Sequence, residues 1–273
     1  MNDQSSIKHI VCVASGKGGV GKSTTALSLA LALQQRGWQT GLLDADIYGP
    51  SQPLMLGVKP GTRPVIRDKK YIEPIRAHGL RCNSMGFLVD ERTPMVWRAP
   101  MIISAFNQML NDTLWGTLDC LIVDLPPGTG DIQLSLSQSV KVSAAIIVTT
   151  PQDVALLDAR KGMEMFRKVD VPILGIIENM STHICSQCGH QEAIFGTGGG
   201  DRLAADYGLE VLGRLPLDIK LREHSDAGNP LVVAEPEHPV SLACLALADR
   251  VMQGLNLLVN KSSATPKFVV ADD

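Results

Sequence analysis

Aromatic residues and excess charge of either sign are scarce in this sequence of 273 residues. Phe, Trp and Tyr make up 4% of the chain, and the formal net charge is −3 at pH 7. A near-neutral chain lacks the basic surface that non-specific nucleic-acid binding requires. No apolar run reaches the ~18 residues of a membrane span, and no basic and apolar leader opens the sequence. We therefore expect a cytoplasmic protein that binds neither nucleic acid nor membrane.

The remaining composition favours an α/β protein with an aliphatic core. Hydrophobic residues make up 45% and charged residues 19% of the chain, which excludes disorder by composition. Short β-branched runs alternate with helical patterns, and this alternation predicts an open, mostly parallel sheet with helices on both faces. The predicted strands are 7–14, 40–43, 118–123, 144–149, 172–177 and 211–215. The predicted helices are 22–36, 97–114, 154–169, 200–207, 219–227 and 239–258.

The alternation continues through one domain, residues 1–258, and gives way to a tail without sustained pattern, residues 259–273, which we expect to be flexible. Between the second strand and residue 96 the sequence is rich in Pro, Gly and charge. We interpret that stretch as an inserted hairpin region rather than a second domain.

Glycines cluster after the first predicted strand. The segment 16–23 matches the phosphate-binding pattern G-x-x-x-x-G-K-[ST], and a strand precedes it while a helix follows it. In such a loop the backbone N–H groups face phosphate oxygens, the lysine pairs with the β- and γ-phosphates and the hydroxyl binds Mg²⁺. The predicted nucleotide-binding residues here are Gly16, Lys17, Gly18, Gly19, Val20, Gly21, Lys22, Ser23 and Thr24.

A second lysine, Lys17, lies near the start of this loop. In this respect the segment 17–24 resembles the deviant Walker A class, whose members dimerise around nucleotide and offer this lysine to the partner subunit's phosphates. The resemblance implies that Lys17 neutralises charge in trans, as an arginine finger does. A solvated lysine on a loop is the simpler interpretation.

Three aspartates end predicted strands at the edge of the sheet where α/β proteins bind ligands. Asp124 fits a magnesium-binding acid acting through water, and Ser23 and Asp44 are the other predicted magnesium residues. Asp46 is predicted to orient the attacking water, and together with Lys17 and Lys22 forms the predicted catalytic set. For Asp46 a turn or helix-cap role is the alternative. The loop 126–130 is a predicted γ-phosphate switch, with Asp131 capping the helix that follows.

Six cysteines occur, and two of them have metal-ligand spacing. Cys12, Cys120 and Cys244 lie within apolar patterns and are predicted core residues, whereas Cys82 has no assignment. Cys185 and Cys188 form a CxxC pair followed by glycine. Two thiolates at this spacing can bind the same metal.

Two sulfurs do not complete a site with four ligands. His183 and His190 flank the pair, but each lies only two residues from its cysteine, too close for the usual zinc-finger spacing. A homodimer supplying four thiolates is the economical solution. The site would then hold a [4Fe–4S] cluster or zinc, and ligand number does not choose between them. Two thiols without metal are the remaining alternative.

Several longer motifs resemble the Mrp/ApbC-type P-loop ATPases, over about residues 8–258. These motifs are 17–24, 44–51, 124–131, 178–181, the cysteine pair, 213–218 and 222–228. The resemblance implies a carrier that binds ATP, holds a labile [4Fe–4S] cluster across a homodimer through Cys185 and Cys188, and passes it to acceptor apoproteins. It also implies that Asn179 and the backbone near Pro216 contact the adenine.

Two departures from that family pattern are visible. Ala99 replaces an expected glycine, which affects only local packing. The resemblance begins near residue 8, so we expect neither the small N-terminal domain of many bacterial members nor the N-terminal cysteine cluster of some eukaryotic ones.

Two other functions remain open at this point. One is a positioning ATPase of the MinD or ParA kind, although the polar, proline-interrupted tail lacks the basic amphipathic helix of MinD-like proteins. The other is a zinc-bridged targeting ATPase, which would need a methionine-rich helical region, whereas the ten methionines are scattered.

Overall fold

A computed structural model describes residues 6–88, 98–185 and 187–263 of the chain. Its strands are β1 Ser6–Ala14, β2 Thr40–Asp44, β3 Ile66–Arg67, β4 Tyr71–Ile72, β5 Ile75–Ala77, β6 Leu80–Ser84, β7 Thr117–Asp124, β8 Ala144–Thr149, β9 Ile173–Ile184, β10 Gln191–Glu192 and β11 Val211–Leu217. Its helices are α1 Lys22–Gln35, α2 Gln52–Met55, α3 Ala99–Asn111, α4 Asp131–Gln138, α5 Asp153–Lys168, α6 Gly199–Tyr207, α7 Ile219–Asp226, α8 Leu231–Ala234 and α9 Pro239–Ser263.

Within the described residues, the main sheet has nine strands and is parallel at its centre. The order is β10-β9-β8-β1-β7-β2-β6-β5, and β11 pairs with β9. Every pair from β11 and β9 through to β6 is parallel, while β10 and β5 run antiparallel to their neighbours. This arrangement confirms the predicted mostly parallel sheet of a P-loop NTPase fold. It also brings the carboxyl ends of β1, β2 and β7 together.

Apolar layers cover both faces of this sheet. Successive residues of β1 point to opposite sides, so Val11 and Val13 pack with helices α1 and α9, while Cys12 and Ala14 pack with helices α3 and α5. Trp115, fully buried, donates its indole N–H to the carbonyl of Leu110 at 2.9 Å. The two layers confirm the prediction of helices on both faces.

Four cysteines belong to these layers. Cys12, Cys120 and Cys244 are buried as predicted, and Cys82, unassigned from the sequence, is buried as well. Burial raises the pKa of all four thiols, so they stay protonated and act as small apolar residues.

Several predicted boundaries of strands and helices differ from those in the structure. Strand β9 continues to Ile184, seven residues beyond the predicted end. The prediction ended the strand where its apolar pattern stops, but the polar residues after position 177 still pair with β11 and β10. Within the predicted insertion, β6 joins the main sheet parallel to β2. Helix α3 covers residues 99–111 of the predicted 97–114, and Trp97 lies outside the described residues.

The last helix is longer than its pattern predicted. Helix α9 continues to Ser263, so the predicted tail from residue 259 begins too early, and residues 264–273 lie outside the described residues. By length and composition alone, the part Pro239–Asn260 is long and apolar enough to cross a membrane. The sequence did not predict such a segment. One stripe of the helix, which includes Val240, Cys244 and Leu247, is buried in the layer that contains α1.

A tight contact joins the segment after α2 to the segment after α7. Gly57 has φ +66°, and a Cβ atom there would lie 2.5 Å from the carbonyl oxygen of Gly228. Gly37 offers a comparison, since its φ is +91° and a Cβ atom there would meet no atom within 4 Å beyond its chain neighbours.

We expect Gly57→Ala to lower the free energy of unfolding more than Gly37→Ala does. Both variants bear the left-handed backbone cost of about 1–2 kcal/mol, but only the first adds a clash, worth about 1–3 kcal/mol more. Urea unfolding of the two variants beside the wild type measures the difference. Equal losses would show that the contact between the two glycines relaxes freely.

Candidate nucleotide site and cysteine hairpin

The predicted phosphate loop connects β1 to α1 and encloses a cavity. Gly16 packs so closely on α5 that a Cβ there would overlap the backbone of Asp158. Gly19 and Gly21 have φ near +80°, a backbone conformation that side chains with Cβ disfavour. The cavity has a volume of about 250 Å³ and is lined by Ser15, Lys17, Gly18, Gly19, Gly21, Lys22, Ser23, Thr24, Asp46, Ser51, Met55 and Pro127.

This lining compares closely with the prediction. It includes most of the predicted loop and Asp46, whereas Gly16 and Val20 are not part of it. Ser15, Ser51 and Met55 were not predicted. Ser51 ends the motif 44–51, which did not by itself assign it to the site, and no motif marks Ser15 or Met55. All three reach the cavity only through the folding of the segments around the loop.

Lys22 lies at the centre of the charged groups. Its side chain is 6% exposed, and its Nζ lies 2.5 Å from Oδ1 of Asp124 and 3.7 Å from Oδ2 of Asp46. The same Nζ donates to the hydroxyl of Ser23 at 3.1 Å. The structure therefore brings three other predicted site residues together around the ammonium group of Lys22.

Asp124 and Asp44 occupy paired positions on β7 and β2, and neither is exposed to solvent. The other carboxylate oxygen of Asp124, Oδ2, accepts from Nε2 of Gln52 at 2.8 Å. Asp44 accepts from the backbone N–H groups of Asp46 and Gln52 and from the hydroxyl of Ser84, at 2.9 to 3.2 Å. Burial and the charge of Asp124 raise the pKa of Asp44 to about 8.

Asp44 is therefore a positioning residue in this structure. Its bonds hold the segment between Asp46 and Gln52 against the sheet, and it is not part of the cavity lining. Direct contact of Asp44 with Mg²⁺ would require it to give up some of these bonds, and the magnesium role remains a prediction.

Asp46 is both a turn residue and part of the cavity lining. Its carboxylate lines the cavity, and Oδ1 accepts from the backbone N–H of Gly49 at 3.2 Å, as a turn residue does. Burial raises the pKa of Asp46, and the nearby Lys22 opposes that shift. The turn thus holds the carboxylate at the cavity, and its action on the attacking water remains a prediction.

The predicted switch loop 126–130 contacts the phosphate loop directly. Gly128 donates its N–H to the carbonyl of Ser15 at 2.9 Å, and Nε2 of Gln133 donates to the carbonyl of Pro127 at 2.6 Å. Gly130 occupies the N-cap position of α4 and Asp131 is the first helical residue. The predicted cap by Asp131 is therefore wrong, because the chain enters the helix one residue earlier.

Asn179 supports the phosphate loop from the side of β9. Its Nδ2 donates to the carbonyl of Val20 at 2.9 Å and lies so close to Gly21 that a Cβ there would collide with it. Pro216 follows Leu215, which pairs with Asn179 across β11 and β9, so the two residues predicted to contact adenine are neighbours. Their contact with the base remains a prediction, while the support of the loop by Asn179 is an unpredicted role.

The cysteine pair occupies the tip of a hairpin formed by β9 and β10. The N–H of Cys185 donates to the carbonyl of His190, and the N–H of Gly189 donates to the carbonyl of Cys185, both at 2.9 Å. Cys185 is half-buried and Cys188 is exposed. Backbone N–H groups of Cys188 and Gln187 lower the pKa of Cys185, so the turn favours a thiolate.

No third ligand joins this pair within the part of the chain that the structure describes. Among those residues no group of three or more His, Cys, Asp or Glu side chains could hold a metal. Nδ1 of His183 lies 3.3 Å from the carbonyl of Leu217, which directs that ring toward β11. The described geometry thus provides two thiols per chain, as the spacing predicted, and does not assemble the Cys₂His₂ alternative.

Known proteins are similar to this chain over most of its length. Residues 6–252 match the family model described as ParA, "NUBPL iron-transfer P-loop NTPase". An iron-sulfur cluster carrier protein of Pseudomonas fragi is 59% identical over 249 residues, which cover 91% of this chain and 87% of that protein.

Two solved structures are similar as well. A nucleotide-binding protein of Archaeoglobus fulgidus in complex with ADP has a TM-score of 0.74 and 36% identity, covering 86% of this chain and 91% of that one. The septum site-determining protein MinD of Pyrococcus horikoshii, complexed with Mg-ADP, has a TM-score of 0.67 at 23% identity. The match covers 93% of this chain and 99% of that one. The second likeness shows the fold alone.

The raised pKa of Asp44 leads to a test by pH. The folded chain keeps this proton up to about pH 8, whereas an unfolded aspartate releases it near pH ~4. Between those values the folded state binds more protons, so stability falls as pH rises. We expect the free energy of unfolding of the wild type to fall relative to Asp44→Asn from about pH 5 to pH 8.

Denaturant unfolding across this range measures the difference between the two proteins. The difference should become flat above about pH 8, which serves as the internal control. A difference that is flat from about pH 5 onward would mean that Asp44 is ionised in the folded chain.

Proposed function

The chain belongs to the ParA/NUBPL family of iron-transfer P-loop NTPases, and we propose that it is an ATP-dependent carrier of iron–sulfur clusters. It acts as a homodimer that holds one [4Fe–4S] cluster between two copies of Cys185 and Cys188 and passes it to acceptor apoproteins. The observation that carries this proposal is the thiol pair at a hairpin tip with no third ligand among the described residues. Since a cluster takes four thiolates, a second copy of the hairpin completes the site.

Binding and hydrolysis of ATP follow from the groups around the cavity. Lys22 pairs with the β- and γ-phosphates, and loop N–H groups face the phosphate oxygens. The hydroxyl of Ser23 and the carboxylate of Asp124 are oxygen donors of the kind Mg²⁺ prefers, and these two groups would hold the ion. When bound, Mg²⁺ neutralises charge on the phosphates. Asp46 orients the attacking water.

Lys17 supplies the remaining positive charge from the partner subunit. Its side chain is half-buried, and no hydrogen bond or ion pair engages its ammonium within the described residues. The bond from the hydroxyl of Ser15 to the carbonyl of Lys17, 2.8 Å, fixes its backbone at the cavity. A cation held there is free to reach phosphates across a dimer interface.

Strand β9 provides the coupling between nucleotide and cluster. It carries Asn179, which supports the phosphate loop, and ends one residue before Cys185. Between them Met180 has φ +56°, a strained conformation for a residue with a side chain. Movement of the loop on hydrolysis is thereby transmitted along the strand to the hairpin, which shifts the cluster between held and exposed states.

Other occupants and roles follow from the same residues. Zinc between the two thiol pairs is the alternative to the cluster, because ligand type suits both. The MinD or ParA role has support only from distant structures. We place the protein in the cytoplasm, since reduced thiols are needed at the hairpin, and propose no nucleic-acid or membrane partner.

The cluster proposal predicts the behaviour of single cysteine variants. Cys185→Ala or Cys188→Ala should abolish cluster binding, because half of the four thiolates are lost per dimer, while nucleotide affinity stays unchanged. Anaerobic reconstitution followed by absorption spectra and iron and zinc analysis measures the cluster, with about four iron atoms per two wild-type chains expected.

Cys82→Ala is the matched control, since that thiol is buried in the core, and it should keep the cluster. A reconstituted cluster with wild-type iron content in either hairpin variant would contradict the proposal. Zinc in place of iron in the wild type would favour the zinc-bridged alternative.

The trans role predicts complementation between two inactive variants. Lys17→Ala and Lys22→Ala should each lose hydrolysis, by about a thousandfold for Lys17 if it acts like an arginine finger. In a mixed dimer, one site combines an intact Lys22 with the intact Lys17 of the other chain. Mixing the two purified variants should therefore restore measurable phosphate release.

If Lys17 instead acts on the nucleotide of its own chain, every site in the mixture lacks either Lys17 or Lys22, and no activity would return. Lys70→Ala, an exposed lysine far along the chain from the loop, is the control and should hydrolyse ATP as the wild type does. Full activity of Lys17→Ala alone would remove the trans role altogether.

A further inference from the structure

Two neighbouring residues at the nucleotide site carry polar atoms that the chain itself leaves unsatisfied. Within the described residues, four buried side-chain atoms lack a hydrogen-bond partner: Nε2 of His9, Oγ of Ser51, Oε1 of Gln52 and Oδ1 of Asn107. Ser51 lines the cavity and Gln52 is 1% exposed. A buried unsatisfied oxygen is costly. Ser51 is part of the cavity lining, and Gln52 is bonded to Asp124 and Ser23, so both oxygens point to a partner that arrives with the ligand.

The orientation of the Gln52 amide is fixed by its surroundings. Nε2 donates to Oδ2 of Asp124 at 2.8 Å and to the carbonyl of Ser23 at 3.0 Å. Both partners accept hydrogen bonds and donate none, so the amide nitrogen must face them and the amide oxygen must face away. The backbone N–H of Gln52 is also engaged, donating to Asp44 at 3.2 Å.

Oε1 can accept a hydrogen bond but cannot donate one. Phosphate oxygens of a nucleotide are acceptors too, and they do not fit beside it. Mg²⁺ in nucleotide sites keeps several bound waters, and each of these waters is a donor. The amide of Gln52 donates to the carboxylate of Asp124, which suits the ion, and to the backbone carbonyl of Ser23, the residue whose hydroxyl suits it.

We propose that Gln52 is a positioning residue for Mg²⁺: its Nε2 holds Asp124 in place, and its Oε1 accepts a hydrogen bond from a water bound to the ion. The inference rests on the nucleotide-binding part of the proposed function. It adds to the predicted site a residue that no sequence motif marks. It also assigns the two halves of one amide to two separate tasks, which substitutions can distinguish.

The test compares the affinity of a non-hydrolysable ATP analogue in excess Mg²⁺ with its affinity in EDTA, by titration calorimetry. The ratio of the two affinities measures the contribution of the ion without any turnover. Gln52→Met fills the same space without polar atoms, so we expect the ratio to fall by about tenfold, the equivalent of one lost hydrogen bond to a charged centre. Affinity in EDTA should stay within about twofold of the wild type.

Gln52→Glu separates the two tasks of the amide. It loses the donor toward Asp124 but offers the metal-bound water a charged acceptor, so its ratio should equal or exceed that of the wild type. A purely structural role predicts that both variants lose the same amount. Gln35→Met is the control, because Nε2 of Gln35 also donates to a carbonyl, that of Val232 at 2.8 Å, away from the cavity.

An unchanged ratio in Gln52→Met, or a ratio in Gln52→Glu as low as that of Gln52→Met, would overturn the inference while leaving nucleotide binding intact. If Gln52→Met does not fold, the ratio of Gln52→Glu decides alone. Absence of analogue binding to the wild type would instead contradict the proposed function, and the inference with it.

Discussion

The buried ion pair between Lys22 and Asp124 is the contact on which the rest of this site depends. Burying two charges costs free energy that their attraction only partly returns, so such pairs do not exist for stability alone. Here the ammonium belongs to the first residue of α1 and the carboxylate to a central strand, and they meet at 2.5 Å. The pair fixes the position of the Lys22 ammonium, and Lys22 is part of the cavity lining. In the proposed function, the lysine would pair with phosphate and the aspartate with Mg²⁺.

A second carboxylate beside this pair shows how the fold limits the charge it buries. Asp44 sits across from Asp124 on the neighbouring strand, and two adjacent ionised carboxylates would repel each other. Burial and that neighbouring charge raise the pKa of Asp44 to about 8. Asp44 accordingly serves as an anchor for the segment from Asp46 to Gln52. Asp46, by contrast, is part of the cavity lining, and Asp124 pairs with Lys22.

Local spacing in the sequence reveals only part of the site. The loop from Gly16 to Ser23 follows from a pattern within eight residues, and the cysteine pair follows from a pattern within four. The contact of Gln52 with Asp124 was missed because glutamine has no motif of its own, and the contact forms only when the fold brings the start of α2 to the end of β7. The continuation of β9 to Ile184 was missed for a related reason, since strand pairing with β11, distant in sequence, overrides its polar composition.

That continuation of β9 connects the two sites mechanically. The chain from Asn179 to Cys185 spans about 20 Å at ~3.3 Å per residue, and β11 pairs with it at Asn179 and His183. In the proposed two-fold symmetric dimer, a shared cluster would lie on the axis, and a lysine given in trans would cross the same interface. Both contacts would then belong to one face of the chain. A rotation that brings Lys17 onto the partner's phosphate would also change the separation of the two hairpins, because Asn179 bonds to the phosphate loop from the strand that leads to the hairpin. Binding of nucleotide and binding of cluster would bias the same rotation, and by linkage each would alter the affinity for the other.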